Sequence, residues 1–187
     1  MSDAVGGSEA SVPVDGRADE GAGVRSGVRV GVDVGSVRVG VAASDPSAVL
    51  AHPVRTLARD LQGGSDLEAL VVLVAELEAV EVVVGLPRLM SGAEGEAARL
   101  ARDYAVNLAR RIRPVEVRLV DERLTTVAAH RRLRDSGVPG RGQRAVVDQA
   151  AAVLILQSAL DAAASTGRAV GELVPARGRP RKKERHR

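Results

Sequence analysis

Asp33 stands in the middle of an apolar run, Val28-Arg29-Val30-Gly31-Val32-Asp33-Val34. An ionised carboxylate there is costly unless it is paired or holds a metal. Two further acidic positions could join it. Asp121-Glu122 closes the run Val115–Val120, and Asp148 precedes a long apolar stretch that starts at Gln149. Hard divalent cations take oxygen ligands, and magnesium typically uses one or two carboxylates with water and phosphate oxygens. Three carboxylates gathered in a mixed sheet can hold two such ions about 3.5–4 Å apart, an arrangement suited to displacement at a phosphodiester. Each acid alone has a plainer reading. Asp33 could be a strand-end acid paired with an arginine, Asp121 or Glu122 could pair with Arg123, and Asp148 could be a helix N-cap. The joint pattern favours a metal site.

These positions need a scaffold. Valine at every even position from 28 to 34 predicts a strand with one face packed. Gly35-Ser36 can supply the positive φ of a tight turn, and Val37–Ala42 returns as the partner strand. His52–Leu57 fits a short edge strand, because Pro53 cannot sit in the middle of a ladder. Ser65-Asp66-Leu67-Glu68 has the form of a capping box. The helix it opens carries Leu67, Leu70, Val71, Val74 and Leu77 on one face. Val82-Val83-Val84 reads as a strand covered on both faces and ends at Gly85-Leu86-Pro87. Ser91-Gly92-Ala93-Glu94 is a second capping-box pattern. It precedes a helix with Ala97, Leu100, Ala101, Tyr104, Leu108 and Ile112 inward. Val115–Val120 is a further strand. An arginine-rich helix is expected from Thr125-Thr126 to about Arg134, a loop over Asp135–Gly142, and a last helix from Gln149 to about Ala164. A hairpin meander followed by β-α-β units predicts an α/β protein with a mixed five-stranded sheet and helices on both faces. Ligand sites in such sheets gather beyond the carboxyl ends of the parallel strands, where Gly85-Leu86-Pro87 and Asp121-Glu122-Arg123 both lie.

Composition narrows the chemistry. The 187 residues contain no cysteine, which excludes a disulfide framework, a thiolate nucleophile and cysteine-ligated zinc. Tyr104 is the only aromatic residue, so a broad base-stacking platform is not expected. No apolar run reaches the roughly 18 residues of a membrane span. The N-terminus lacks the basic and apolar regions of a signal peptide, which points to a cytoplasmic protein with no membrane partner. The formal net charge of +3 is unevenly spread. Residues 1–27 carry five acids and two arginines, and residues 168–187 carry eight bases and two acids. Both ends are expected to be disordered tails (1–27 and 167–187) around one domain at 28–166. The basic end could hold nucleic acid through counterion release or simply aid solubility.

Four ordered segments carry a resemblance: Asp33-Val34-Gly35-Ser36-Val37-Arg38-Val39-Gly40-Val41-Ala42, Val84-Gly85-Leu86-Pro87-Arg88-Leu89-Met90-Ser91-Gly92, Asp121-Glu122-Arg123-Leu124-Thr125-Thr126, and Val147-Asp148-Gln149 with the apolar stretch to Gln157. Together, over about Val28–Leu160, the chain resembles the YqgF/RuvX family. The resemblance implies an RNase H-like three-layer fold. It also implies one of two activities: Holliday junction resolution related to RuvC, or nucleolytic maturation of the 5′ end of pre-16S ribosomal RNA. By this likeness Asp33, Glu122 and Asp148 are the catalytic and metal-binding acids, with Asp121 as the alternative to Glu122. Strand alternation through Asp121 would put that residue on the Val117 and Leu119 face and turn Glu122 the other way. Gly35, Ser36, Arg38, Gly85, Leu86, Pro87, Arg123, Thr125 and Thr126 would line a nucleic-acid groove, though turn geometry alone also explains Gly35 and Gly85. RuvC-type sites usually carry a fourth acid near the last aspartate. Here Gln149, Ala150, Ala151 and Ala152 follow Asp148, so one ion is expected to bind weakly or to arrive with the substrate.

The resulting expectation is an endonuclease using Mg2+ or Mn2+, with two ions, on structured RNA such as the precursor of small-subunit ribosomal RNA. The alternatives are a junction resolvase on DNA, which needs a homodimer where the RNA enzyme can be a monomer, and a non-catalytic nucleic-acid-binding module. The first hairpin also resembles the phosphate-binding hairpin of actin-like ATPases, but the chain is too short for that two-lobed architecture.

Overall fold

Val30, Val32 and Val34 pack into one hydrophobic cluster, while the position of Gly31 faces Leu156 and Ala152 of a helix on the other side. Both faces of the first strand are therefore covered, and all six of its residues are buried. The expectation of a single packed face is corrected here. Glycine and aspartate hide the second face from a hydrophobicity pattern, because neither registers as apolar.

The computed structural model describes residues 25–124 and 141–176, with the side chains of 124 and 141–148 outside the description. In chain order the elements are β1 (Arg29–Val34), β2 (Arg38–Ser44), β3 (Ala51–Ala58), α1 (Ser65–Glu76), β4 (Glu81–Leu86), α2 (Glu96–Arg111), β5 (Glu116–Asp121), α3 (Arg141–Thr166) and β6 (Glu172–Leu173). The sheet order is β3-β2-β1-β4-β5-β6. The first three strands form an antiparallel meander, β1, β4 and β5 run parallel, and β6 returns antiparallel to β5. Leu67, Leu70, Tyr104 and Leu108 from α1 and α2 cover one face, and Ile155, Leu156 and Leu160 from α3 cover the other. These are the three layers of the expected α/β fold, with one strand more than expected. β6 has only two residues, too few to show a period. Val174 beyond it is buried, so packed structure passes the expected boundary at 166.

Local chemistry departs from expectation at three places. Gly35 does not adopt a positive φ. Its own N–H bonds the Arg38 carbonyl at 2.9 Å, and a Cβ on Gly35 would lie 2.7 Å from that oxygen, so close approach is what the position requires. Neither capping box forms. Gly64 and Gly95 occupy the N-cap positions of α1 and α2 without side-chain caps. The Ser65 hydroxyl donates instead to Asp60 Oδ2 at 2.8 Å, and Glu94 is taken by arginines. In α2 the inward set shifts to Ala98, Ala101, Tyr104, Ala105, Leu108 and Ala109, with Ala97 exposed. Finally, α3 begins at Arg141, so its first turn takes the end of the expected 135–142 loop. The expected helix from Thr125 to Arg134 and both far termini lie outside the described residues. Among the described residues no helix is long and apolar enough to cross a membrane.

Candidate active site

Alternation along β1 sets the first acid. Gly31 faces α3, so Asp33 two residues on faces the same side, at the carboxyl end of the strand. It is 2% exposed. The parallel pairing of Val32 with Val84 puts Gly85 beside Asp33 on the next strand, and Gly85 in turn pairs with Val120 of β5. The sheet therefore brings three strand ends together in the order Asp33, Gly85, Val120.

Alternation along β5 then separates the two neighbouring acids. Val117 and Leu119 pack towards α1 and α2, and Val120 packs towards α3. Asp121 ends the strand, and a 3-10 turn over Glu122–Leu124 follows. The Glu122 carboxylate folds back over Gly85: a Cβ at Gly85 would meet Glu122 Oε1 and, at 2.5 Å, Ile155 Cδ1 of α3. Glu122 is 3% exposed. Asp33 and Glu122 are thus two buried carboxylates on one face of the sheet, flanking a residue with no side chain.

Asp121 is engaged elsewhere. Its carboxylate accepts from the Arg123 backbone N–H at 3.0 Å, from Arg123 Nε at 3.1 Å and from Arg123 Nη2 at 2.7 Å, and Arg88 Nη1 lies 3.8 Å away. The Arg123 side-chain hydrogen bond holds the Asp121 carboxyl below the usual carboxylate range, against the opposing effect of partial burial. The same pairing raises the Arg123 guanidinium.

The donor set suits a hard divalent cation, because the two buried acids offer only oxygen, and the missing Gly85 side chain leaves the space that the Glu122 carboxylate fills. Among the described residues no group of three potential ligands assembles. The third expected ligand, Asp148, falls within α3, and its side chain lies outside the described residues.

The expected groove residues divide. Ser36 is exposed on the β1–β2 connection, and Gly35, Arg38 and Pro87 are half-buried around the same strand ends. Gly85 is buried, its conformation is unremarkable, and its role is to admit Glu122 and Ile155. The Leu86 side chain is 2% exposed and belongs to the α1/α2 core, which corrects its reading as a groove-lining side chain: strand alternation turns it away from the Gly85 face. Arg123 is exposed at the rim, and Thr125 and Thr126 lie outside the described residues.

One ion-pair chain escaped sequence reasoning. Arg88 and Glu94 form a backbone bridge and a side-chain pair at 3.3 Å, making a small hairpin after β4. Glu94 also accepts from Arg102 Nη2 at 2.6 Å, and Arg102 reaches Glu172 of β6 at 2.7 Å. The partners are 6, 8 and 70 residues apart, so no helical spacing announces them.

Comparison with known proteins finds relatives in sequence and in fold. The family model described as "RuvX: Holliday junction resolvase" matches residues 27–162. A protein of Frankia casuarinae named "Putative pre-16S rRNA nuclease" is 68% identical over 134 residues, spanning 72% of this chain and 66% of that protein. Proteins of the same name from Mycobacterium sp. (strain KMS) and Nocardioides sp. are 58% and 55% identical, over 78% and 81% of this chain and 86% and 98% of theirs. Among solved structures, T. thermophilus RuvC in complex with a Holliday junction substrate superposes with a TM-score of 0.50 at 13% identity. It covers 76% of this chain and 99% of that one, a likeness of fold.

Proposed function

The chain belongs to the RuvX family, and from that premise we propose that it is a metal-dependent endonuclease that hydrolyses phosphodiester bonds in maturing the 5′ end of pre-16S ribosomal RNA. The observation that carries the reading is the pair of buried acids, Asp33 and Glu122, on one face of the sheet beside Gly85. Asp33, Glu122 and Asp148 would hold Mg2+ or Mn2+. When bound, such ions supply an activated water and charge stabilisation at the leaving 3′ oxygen. Water adds at phosphorus and the P–O3′ bond breaks, which leaves a 5′-phosphate and a 3′-hydroxyl.

The protein's own part is placement. Burial of Asp33 and Glu122 keeps bulk water from competing for them; the sheet fixes the Asp33 backbone, and the 3-10 turn that closes β5 fixes that of Glu122. Ser36, Arg38 and Arg123 border the approach to these acids and suit contact with phosphate oxygens, and the family resemblance adds Thr125 and Thr126 as candidates for the same role. We place the catalytic core at 28–166, with β6 and Val174 packed onto it from the segment that follows. The basic end, Arg177–Arg187, adds sequence-independent phosphate attraction. Deleting Gly178–Arg187 is expected to lower the salt dependence of RNA binding more than it lowers cleavage at saturating RNA.

The test offers the protein, with Mg2+ or Mn2+, a 5′-extended 16S leader RNA and a four-way DNA junction in parallel. Cleavage of the RNA, with little or none of the junction, supports the proposal. Cleavage of the junction alone overturns the choice of substrate. Binding of both without cleavage overturns the enzymatic reading.

A further inference from the structure

Asp121 and Glu122 are adjacent acids that do different work. Glu122 turns towards α3 over Gly85, whereas Asp121 continues the Val117–Leu119 side of β5. Both Asp121 oxygens are spent on arginine. Oδ1 accepts from the Arg123 backbone N–H and from Nε, and Oδ2 accepts from Nε and Nη2. A fork of this kind fixes the plane of a guanidinium, because two parallel bonds leave it no rotation.

That plane has a direction. Nη1 is the one nitrogen of Arg123 left outside the fork, and it lies against the hairpin that follows β4. A Cβ built on Gly92 would lie 3.3 Å from it. Gly92 has φ +88°, a conformation suited to glycine, so the position stays without a side chain and Nη1 takes the space a side chain would fill. The hairpin itself is braced. Arg88 bridges Glu94, Leu89 N–H bonds the Ala93 carbonyl at 3.0 Å, and Gly92 N–H bonds the Leu89 carbonyl at 2.8 Å. Arg88, tethered to Glu94, stands on the other side of Asp121. The result is a pre-oriented, exposed cation seated against Gly92 at the rim of the strand ends near Asp33 and Glu122.

We propose that Asp121 is a positioning residue that holds the exposed Arg123 guanidinium at the rim, braced against Gly92, to receive a non-scissile phosphate of the nucleic-acid strand. This inference rests on the nuclease reading for the identity of the strand. Arg123 and Asp121 then set affinity and register, and Glu122 sets turnover.

The experiment measures leader-RNA affinity in EDTA, and kcat and KM with Mg2+, for the full chain and for Asp121→Asn, Arg123→Lys, Arg123→Gln, Glu122→Gln and the Asp121→Asn/Arg123→Gln double variant. Asp121→Asn is expected to weaken affinity and raise KM about tenfold while kcat stays within about threefold. Arg123→Lys should match it, since an ammonium cannot form the fork. Arg123→Gln should lower the salt slope of binding by about 1. In the double variant Asp121→Asn should add nothing, since without the guanidinium there is nothing to aim. Glu122→Gln should lose turnover and keep affinity. The proposal fails if Asp121→Asn loses turnover at unchanged affinity, which is the behaviour of a metal ligand. It also fails if the two substitutions are additive. If the wild-type chain cleaves nothing, the nuclease reading fails, while the EDTA affinities still decide for or against the fork. The Arg123 variants carry the test should Asp121→Asn not fold.

Discussion

Gly85 and Glu122 occupy one space: the direction in which a Gly85 side chain would grow is filled by the Glu122 carboxylate and by Ile155 of α3. The glycine sits in a strand with an ordinary backbone conformation, so its absence of a side chain serves the carboxylate rather than a turn. Gly85→Ala is therefore expected to destabilise the fold by about 1–3 kcal/mol, as overpacking does. It should also cut RNA cleavage by more than about tenfold, because the displaced group is a proposed ligand. Urea melts and initial rates at saturating Mg2+ check both. A destabilised variant with full activity would remove Glu122 from the site.

A second glycine on the same face provides a structural control. At Gly31, a Cβ would lie 2.6 Å from Leu156 Cβ and 2.9 Å from the Ala152 carbonyl oxygen. The carbonyl cannot rotate aside. Gly31→Ala should destabilise by a similar amount through the β1–α3 contact that seats Asp33, read as a lower urea midpoint.

A buried ion pair sits beside the α1/α2 core. Asp66 has no exposed side-chain surface and pairs with Arg59 Nη1 at 2.6 Å. The Arg59 guanidinium lies over the Tyr104 ring, 4.6 Å from its centroid. Asp66→Ala leaves that guanidinium uncompensated and should cost about 3–5 kcal/mol. Tyr104→Phe should change stability by less than about 1 kcal/mol, because the Tyr104 hydroxyl is buried without a hydrogen-bond partner. Burial, and then the charge of Asp66, raises the Tyr104 phenol, so it stays neutral throughout the working range. A large loss in Tyr104→Phe would show that the hydroxyl is satisfied in solution.

Asp60 gives a pH signature. Its carboxylate accepts the backbone N–H groups of Gly63 at 2.8 Å, Ser65 at 3.1 Å and Gln62 at 3.2 Å, together with the Ser65 hydroxyl. These bonds, Gly63 first, hold its carboxyl well below the usual range. A depressed folded-state value stabilises the fold above the unfolded pKa of about 3.9, and that contribution drains away as pH falls below it. Asp60→Asn should flatten the stability profile below about pH 4. Equal slopes for variant and wild type in urea melts across that window would contradict it.

Much of this was legible in the sequence because it is periodic or expensive. Asp33 announced itself as a charge in an apolar run, and the β-α-β order placed two later motifs at neighbouring strand ends. Alternation alone put Asp121 and Glu122 on opposite sides. Other features left no such mark. β6 is two residues long, and the Glu94–Arg102–Glu172 chain joins residues with no common spacing. The capping boxes had the right letters, but Gly64, one residue before Ser65, and Gly95, four residues after Ser91, took the N-cap positions, and Asp60 captured Ser65. Leu86 looked like part of a loop motif, and strand pairing with Asp121 carried it into the core.

The central claim is that Asp33 and Glu122 share a divalent-ion site, and titration of the RNA-free protein with Mn2+ tests it most directly. The wild-type chain should bind Mn2+ and gain thermal stability as the ion rises above its Kd. Asp33→Asn and Glu122→Gln should each weaken that binding by about tenfold or more, as loss of a charged ligand requires, while Asp121→Asn should keep it. Equal Mn2+ affinity in wild type, Asp33→Asn and Glu122→Gln would contradict the site.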